Sequence, residues 1–483
     1  MLLPLLILTP LISAIACYFS RSIRAQYNIS LSVSVIHLVF SFALFMGWLQ
    51  PGAFVLFSAD SLSQLFLLVL SNVYFWVVLI SLAYLKRSAT SGSAAGKKYY
   101  FLLLNFYLAA NTAAILSSNF GMYWVASEAT TLSVAPLIYY YRNEEALEAM
   151  WKYLFLVSLG IAFAFIGILF LTLSANGTLL EGRQLFFSEF AKNAALLNPV
   201  WLKASFIFIF VGMSTKIGIA PMHSADVDAT SNSPSPVAAL MAGSLRVTAL
   251  LGVMRIFQIV TPSSVHGFAK TILIIGGLFS LFVAFVFMFK VKNYKRLLAY
   301  SSVEHLGIIT LAVGVGGLAF VGAIYHIVYN SICKVVLFFI AGNLHREFKT
   351  REIAGVSSVI NFMPWTGWLL LLAFFAISAI PPFGIFFSEL MIFEGMLFSG
   401  KPWVLAVTMF FMLFIFINMA RALFRMLYRE NEHAVAPREA ERFDITHFAS
   451  IVLLILVILI ALMSPDILRD HILSISKDFG IKL

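Results

Sequence analysis

The chain has 483 residues, 61% of them hydrophobic and only 11% charged, against about 25% charged in an ordinary soluble domain. That balance excludes a soluble enzyme as a description of the whole chain. The net charge of +10 reads as Lys and Arg in short loops that set membrane topology, not as a nucleic-acid footprint.

Apolar runs close to the roughly 20 residues that cross a bilayer recur along the whole sequence. In chain order they cover 1–19, 27–48, 61–85, 99–118, 120–141, 151–174, 201–222, 235–260, 268–289, 299–316, 317–341, 365–398, 401–425 and 448–466. A backbone in hydrocarbon must satisfy its own hydrogen bonds, so each run is expected to be helical. The predicted fold class is an all-α polytopic membrane protein of about fourteen transmembrane helices. The first run lacks a positive leader and is followed by Arg21 and Arg24, so it is read as a retained helix and not a signal peptide.

Loop charges predict an orientation. Odd-numbered loops carry Arg21 and Arg24; Lys86, Arg87, Lys97 and Lys98; Arg142; Lys290, Lys292, Lys295 and Arg296; Arg346, Lys349 and Arg351; and Arg429, Arg438 and Arg442. Even-numbered loops carry almost none. The positive-inside rule puts the odd loops in the cytoplasm and both termini on the non-cytoplasmic side of a cell or inner membrane.

Two runs are expected to be broken. "STKIGIAPMHSADVDA" at 214–229 holds Gly218 and Pro221, and "FAISAIPPFGIFFSEL" at 375–390 holds Pro381, Pro382 and Gly384. Proline removes a donor and disrupts the turn before it. Unwound backbone at membrane depth is tolerated only within protein or beside water. Both breaks lie near an ionisable residue, Lys216 and Glu389.

Charges inside apolar runs carry the functional reading. They are Glu128, Lys216, Arg246, Glu304, His305, His326, Lys334 and Glu389. An intramembrane charge is costly unless paired or hydrated, and by default marks an ion pathway. His326, Asn330 and Lys334 recur every four residues, on one helical stripe. Histidine titrates near neutral pH, whereas Arg246 stays charged and serves as a gate or counter-charge. Glu304 and His305 read either as members of the path or as hydrated residues near the cytoplasmic end. His223, with Asp226 and Asp228, reads either as a proton entry or as loop surface. Two neighbouring polar groups are too few for a metal site, so none is expected. No cofactor is expected either. Cys17 and Cys333 cannot hold a thiolate-ligated cluster alone, and no dinucleotide or phosphate loop is present.

Several longer motifs sharpen this reading: "SEATTLSVAPLIYYY" at 127–141, "ALEAMWKYLFLVSLGIA" at 146–162, "TKIGIAPMH" at 215–223, "SPSPVAALMAG" at 233–243, "KRLLAYSSVEHLGII" at 295–309, "KVVLFFIAGNLHR" at 334–346 and "PPFGIFFSELMI" at 381–392. Together they resemble the proton-conducting, antiporter-like membrane subunits of respiratory complex I, multisubunit Na⁺/H⁺ antiporters and energy-converting hydrogenases. "YSSVEHLGI" leans toward the hydrogenase branch.

The resemblance implies that Glu128 pairs with Lys216, that Glu389 is the ionisable residue of the broken twelfth helix, and that His326 and Lys334 form the polar stripe between two half-channels. It implies N-terminal helices over 1–98, two inverted five-helix repeats over 99–260 and 268–425, a C-terminal helix and tail over 448–483, and breaks in helices 7 and 12. It also implies that redox chemistry resides in partners: other membrane subunits and a soluble arm on the cytoplasmic face. Protons, and in one branch Na⁺, would be the ions carried, with lipid around the chain. The sequence departs from the pattern at Val247, where several relatives carry Lys or His, with Arg246 one position earlier, and at "DVDA" over 226–229. Three functions follow as expectations: a proton-translocating subunit of a redox-driven complex, a subunit of a Na⁺/H⁺ antiporter, or a structural anchor that has lost its path.

Overall fold

The computed structural model describes residues 2–52, 54–87, 94–182, 185–429 and 441–481; Arg438, among the loop cations above, lies outside them. The described residues form helices joined by short loops, with isolated bridges but no sheet. Helices α1 (Leu2–Phe19), α2 (Ile23–Phe45), α3 (Ser61–Arg87) and α4 (Ala94–Leu116) pack together at the N-terminal end. Then come α5 (Phe120–Ile138), α6 (Glu144–Ser174), the short α7 (Phe187–Lys192), α8 (Pro199–Ile217), α9 (Ser224–Asn232) and α10 (Ser235–Leu240). A π turn over Met241–Leu245 joins α10 to α11 (Arg246–Val260). The rest are α12 (His266–Met288), α13 (Tyr294–Val315), α14 (Gly317–Phe348), the single turn α15 (Val359–Phe362), α16 (Pro364–Ile377), α17 (Gly384–Phe398), α18 (Pro402–Tyr428), α19 (Ile445–Met463) and α20 (Asp466–Asp478).

Among the described residues, twelve helices are long and apolar enough to cross a membrane. Asparagine starts several of them. The Asn119, Asn143 and Asn293 side chains accept from the first-turn amides of α5, α6 and α13, which satisfies donors that have no partner within the helix. Both expected breaks are present. Helix α8 stops at Gly218, whose φ of 84° is the left-handed conformation glycine adopts without penalty, and helix resumes at Ser224. Helix α16 stops at Ile377 and α17 begins at Gly384.

The centre of the fold is made of α10 with α11, α13 and α14, which are buried on all sides. The outer helices leave their apolar faces exposed, as a lipid-facing surface requires. Close crossings hold the layers together. A Cβ on Gly160 of α6 would run into Thr215, and one on Gly277 of α12 would lie 2.6 Å from the Gly307 carbonyl of α13. Small residues at such crossings let helices approach where no hydrophobic drive favours their association.

One loop cation departs from expectation. Lys295 is fully buried, not a surface charge, and its Nζ donates to the Ser233 carbonyl at 2.7 Å. That carbonyl ends α9, where the helix dipole favours a cation.

Candidate proton pathway

The first polar group sits where α8 stops. Lys216, in the last turn of α8, is buried against α5. Its Nζ donates to the Ser127 carbonyl and the Thr130 hydroxyl, and to Thr131 Oγ1 at 3.0 Å. Glu128 lies on the same stretch of α5, but its Oε1 accepts from Ser158 Oγ of α6 at 2.7 Å. Its Oε2 is buried without a protein partner. The expected Glu128–Lys216 ion pair is therefore open in this structure. Lys216 is instead held by the Ser127 carbonyl and two threonine hydroxyls, and Glu128 by the Ser158 hydroxyl.

The second group is the buried pair Asp226–Arg246. Arg246 Nη2 lies 2.5 Å from Asp226 Oδ2 and donates to Thr230 Oγ1 at 2.8 Å. A π turn lies just before Arg246. A π turn adds one residue to the turn, so side chains beyond it are displaced by a position relative to an unbroken helix. Asp226 is not loop surface, since it is completely buried. His223 is largely buried as well, packed beside Phe287 and Tyr300. Asp228 stays nearer the surface and pairs with Arg296 at 3.0 Å and Lys152 at 3.6 Å. Asn232 accepts from Arg351 at 2.8 Å. Helix α9 is thus clamped by cations of α6, α11, α13 and the segment after α14.

The third group lies between α13, α14 and α17. Lys334 Nζ donates to the Ser301 hydroxyl, and Asn330, one turn earlier on the stripe, keeps a buried Oδ1 without a protein partner. Glu304 and His305 are buried, which removes the reading of hydrated residues at a helix end. His305 Nδ1 meets His326 Nε2 at 3.0 Å, and His326 Nδ1 meets Ser388 Oγ at 3.1 Å. The tautomers follow from counting hydrogens. Ser388 has one, and it points to the Ile385 carbonyl at 2.9 Å. Ser388 Oγ therefore accepts from His326 Nδ1–H, which leaves His326 Nε2 to accept from His305 Nδ1–H. A small cavity of about 40 Å³ opens onto Glu304, His305, Ser378 and Glu389.

Two further groups escaped the sequence reading. His37 is buried in α2, with Nδ1 2.8 Å from Ser71 Oγ and Nε2 3.0 Å from Thr112 Oγ1. The available signal was spacing: Gln26, Ser30, Ser34, His37 and Ser41 are the buried polar stripe of an otherwise apolar helix. Asp60 and Arg255 form a two-pronged ion pair at 2.5 and 2.7 Å next to the first turn of α3.

The family model described as "NADH:quinone oxidoreductase/Mrp antiporter, TM" matches residues 117–416. The chain belongs to that family: it is a polytopic, all-α membrane subunit of the antiporter-like group shared by complex I, Mrp antiporters and hydrogenase-4. Within the family it is 34% identical to the hydrogenase-4 component F homolog of Methylacidiphilum infernorum over 390 residues, 78% of this chain and 80% of that protein. It is 28% identical to hydrogenase-4 component B of Escherichia coli K12, but spans only 49% of that protein's length. The fold matches a chain of the membrane-bound sulfane sulfur reductase, an archaeal respiratory membrane complex, at a TM-score of 0.85 and 21% identity over 99% of this chain and 97% of that one. The buried ionisable residues (His37, Asp226 with Arg246, Glu304, and His305 with His326) are of the kind a proton-conducting membrane subunit requires.

Proposed function

We propose that the chain is a proton-translocating subunit of a redox-driven respiratory or hydrogenase-type membrane complex. The observation that carries this reading is the set of buried ionisable groups, Lys216, Arg246 with Asp226, Lys334, Glu304, His305, His326 and Glu389, in otherwise apolar helices. A signal from a neighbouring subunit would draw Glu128 and Lys216 together or apart and so change the proton affinity of Lys216. Protons would pass by water toward Lys334, Glu304 and the histidine pair, and on to Glu389. Arg246, locked to Asp226, would supply fixed charge and carry no proton.

The proposed frame is fourteen crossings, with α16 and α17 counted as one broken crossing and α8 and α9 as another. Inverted repeats over 99–260 and 268–425 would each hold five. Supporting this, Glu128 lies on the second helix of the first repeat and Glu304 on the second helix of the second. Each repeat also has its break in the fourth crossing. Both termini would face away from the cytoplasm, and a soluble redox arm would dock on the basic cytoplasmic face. The second reading, a cation/proton antiporter subunit, draws support from the family's own span, which includes Mrp antiporters.

The test is Lys216→Ala in the assembled complex in sealed vesicles. Redox turnover with reduced proton uptake supports the proposal. Proton uptake driven only by a Na⁺ gradient favours the second reading. Normal turnover with normal uptake means that the chain is a structural anchor.

A further inference from the structure

The histidine pair has a second chemistry that proton transfer does not use. His305, His326 and Glu389 each present one donor atom, and the three donors lie within 4.8 Å of one another. They come from α13, α14 and α17, so the cluster is tertiary and not a sequence motif. We propose that these residues form a binding site for a divalent transition ion of the Zn²⁺ type. This site does not depend on the proton-translocation reading.

The donor set selects the class of ion. Two imidazoles and one carboxylate suit Zn²⁺ and its neighbours, while Mg²⁺ and Ca²⁺ require oxygen ligands. Ligand bonds of about 2.0–2.2 Å need donors roughly 3.3 Å apart around a tetrahedral ion, so the cluster has only a short distance to close. The imidazole contact, at 3.0 Å, is already that close. Glu304 lines the same cavity as His305 and Glu389, which brings a second carboxyl group near the site. Lys334, one helix turn beyond Asn330, is the nearby cation that opposes binding and is itself held by Ser301.

The hydrogen bonds around the pair prepare it for metal. His326 Nδ1–H donates to Ser388 Oγ, which presents Nε2 as a lone pair toward His305. Such a partner behind a ligating imidazole fixes its tautomer and raises its basicity. The shared proton between the two rings is what the ion displaces: His305 gives up its Nδ1 proton or moves it to Nε2, and both facing nitrogens then bind metal. Proton and metal compete for one place, so affinity weakens as pH falls.

The experiment is equilibrium dialysis of the purified full chain against Zn²⁺, with Co²⁺ as the optical probe of coordination. One equivalent per chain and intense tetrahedral Co²⁺ bands are expected. His326→Ala should abolish them, and Ser388→Ala should weaken binding by about 10–100-fold, the usual effect of losing the group behind a ligand. His266→Ala, remote from the cluster, should change nothing. The proposal is overturned if no saturable binding occurs, or if binding persists in His326→Ala or survives undiminished in Ser388→Ala. Thermal unfolding of each variant shows that a lost site is not a lost fold. Proton uptake is not needed to read the result.

Discussion

Arg246 and Asp226 form an ion pair at 2.5 Å with both side chains buried, and the two residues lie on opposite sides of the turn that connects α9 to α10. The pair ties the helix that follows the break to the π turn in the centre of the protein. Removing one member leaves a charge buried in a medium that cannot solvate it. Asp226→Asn or Arg246→Met should each cost about 3–5 kcal/mol, and the double variant should recover part of that loss. Thermal unfolding in detergent, run as a double-mutant cycle, measures the recovery. Additive losses would mean that the two charges do not depend on each other.

Asp228 offers a contrast within the same helix. Its partners Lys152 and Arg296 are both more than two-fifths exposed. Water and mobile ions screen such pairs, so Asp228→Asn should cost no more than about 1 kcal/mol. The same unfolding experiment, repeated at high salt, should shrink the Asp228 effect and leave the Asp226 effect nearly unchanged.

The α6–α8 crossing makes a steric prediction. A side chain on Gly212 would meet the Ala164 amide nitrogen of α6 at 2.6 Å. Gly212→Leu should push α8 away from α6 and carry Thr215 and Lys216 with it. Loss of expression or a large drop in unfolding temperature is expected, whereas Leu at Gly267, which has open space around it, should be tolerated.

Asp60, outside the membrane spans, sets a pH dependence. Burial alone would raise its carboxyl, but the Arg255 charge and hydrogen bonds from Arg255 and Ser63 outweigh this and hold it at about 2, below its usual 3.8. A depressed carboxyl stabilises the fold above the unfolded value and loses that contribution as pH falls toward 2. About a third of the Asp60 side chain is exposed, so the effect should be modest, roughly 1 kcal/mol or less. Wild type should be more stable than Asp60→Asn at pH 6, and the gap should close between about pH 4 and 2. A constant gap would show that Asp60 acts through packing and not charge.

The helices were legible because hydrocarbon forces apolar length into helix, and the breaks because Gly218, Pro221, Pro381 and Pro382 interrupt that pattern. The charges were legible for the same reason, since Lys216 or Glu389 has no ordinary place in an apolar run. Their partners were not. Asp226 reads as a polar loop residue beside Asp228 and His223, and only the fold brings it to Arg246. Lys295 reads as one loop cation among four because nothing local marks the Ser233 carbonyl as its acceptor. The His305–His326 contact joins separate helices, so helical spacing, which placed His326 with Asn330 and Lys334, could not reveal it. His37 was the reverse case: the every-third-or-fourth polar stripe of α2 was visible, but one histidine in an apolar run carries little weight alone.

Lys334 is buried in the central helix α14 and belongs to the proposed path, so it tests the central claim most directly. The measurement is protons taken up per electron transferred in sealed vesicles, comparing the wild-type complex with Lys334→Met. The account predicts continued electron transfer with the ratio reduced by the share this subunit contributes. An unchanged ratio in a complex that assembles and turns over normally would contradict it.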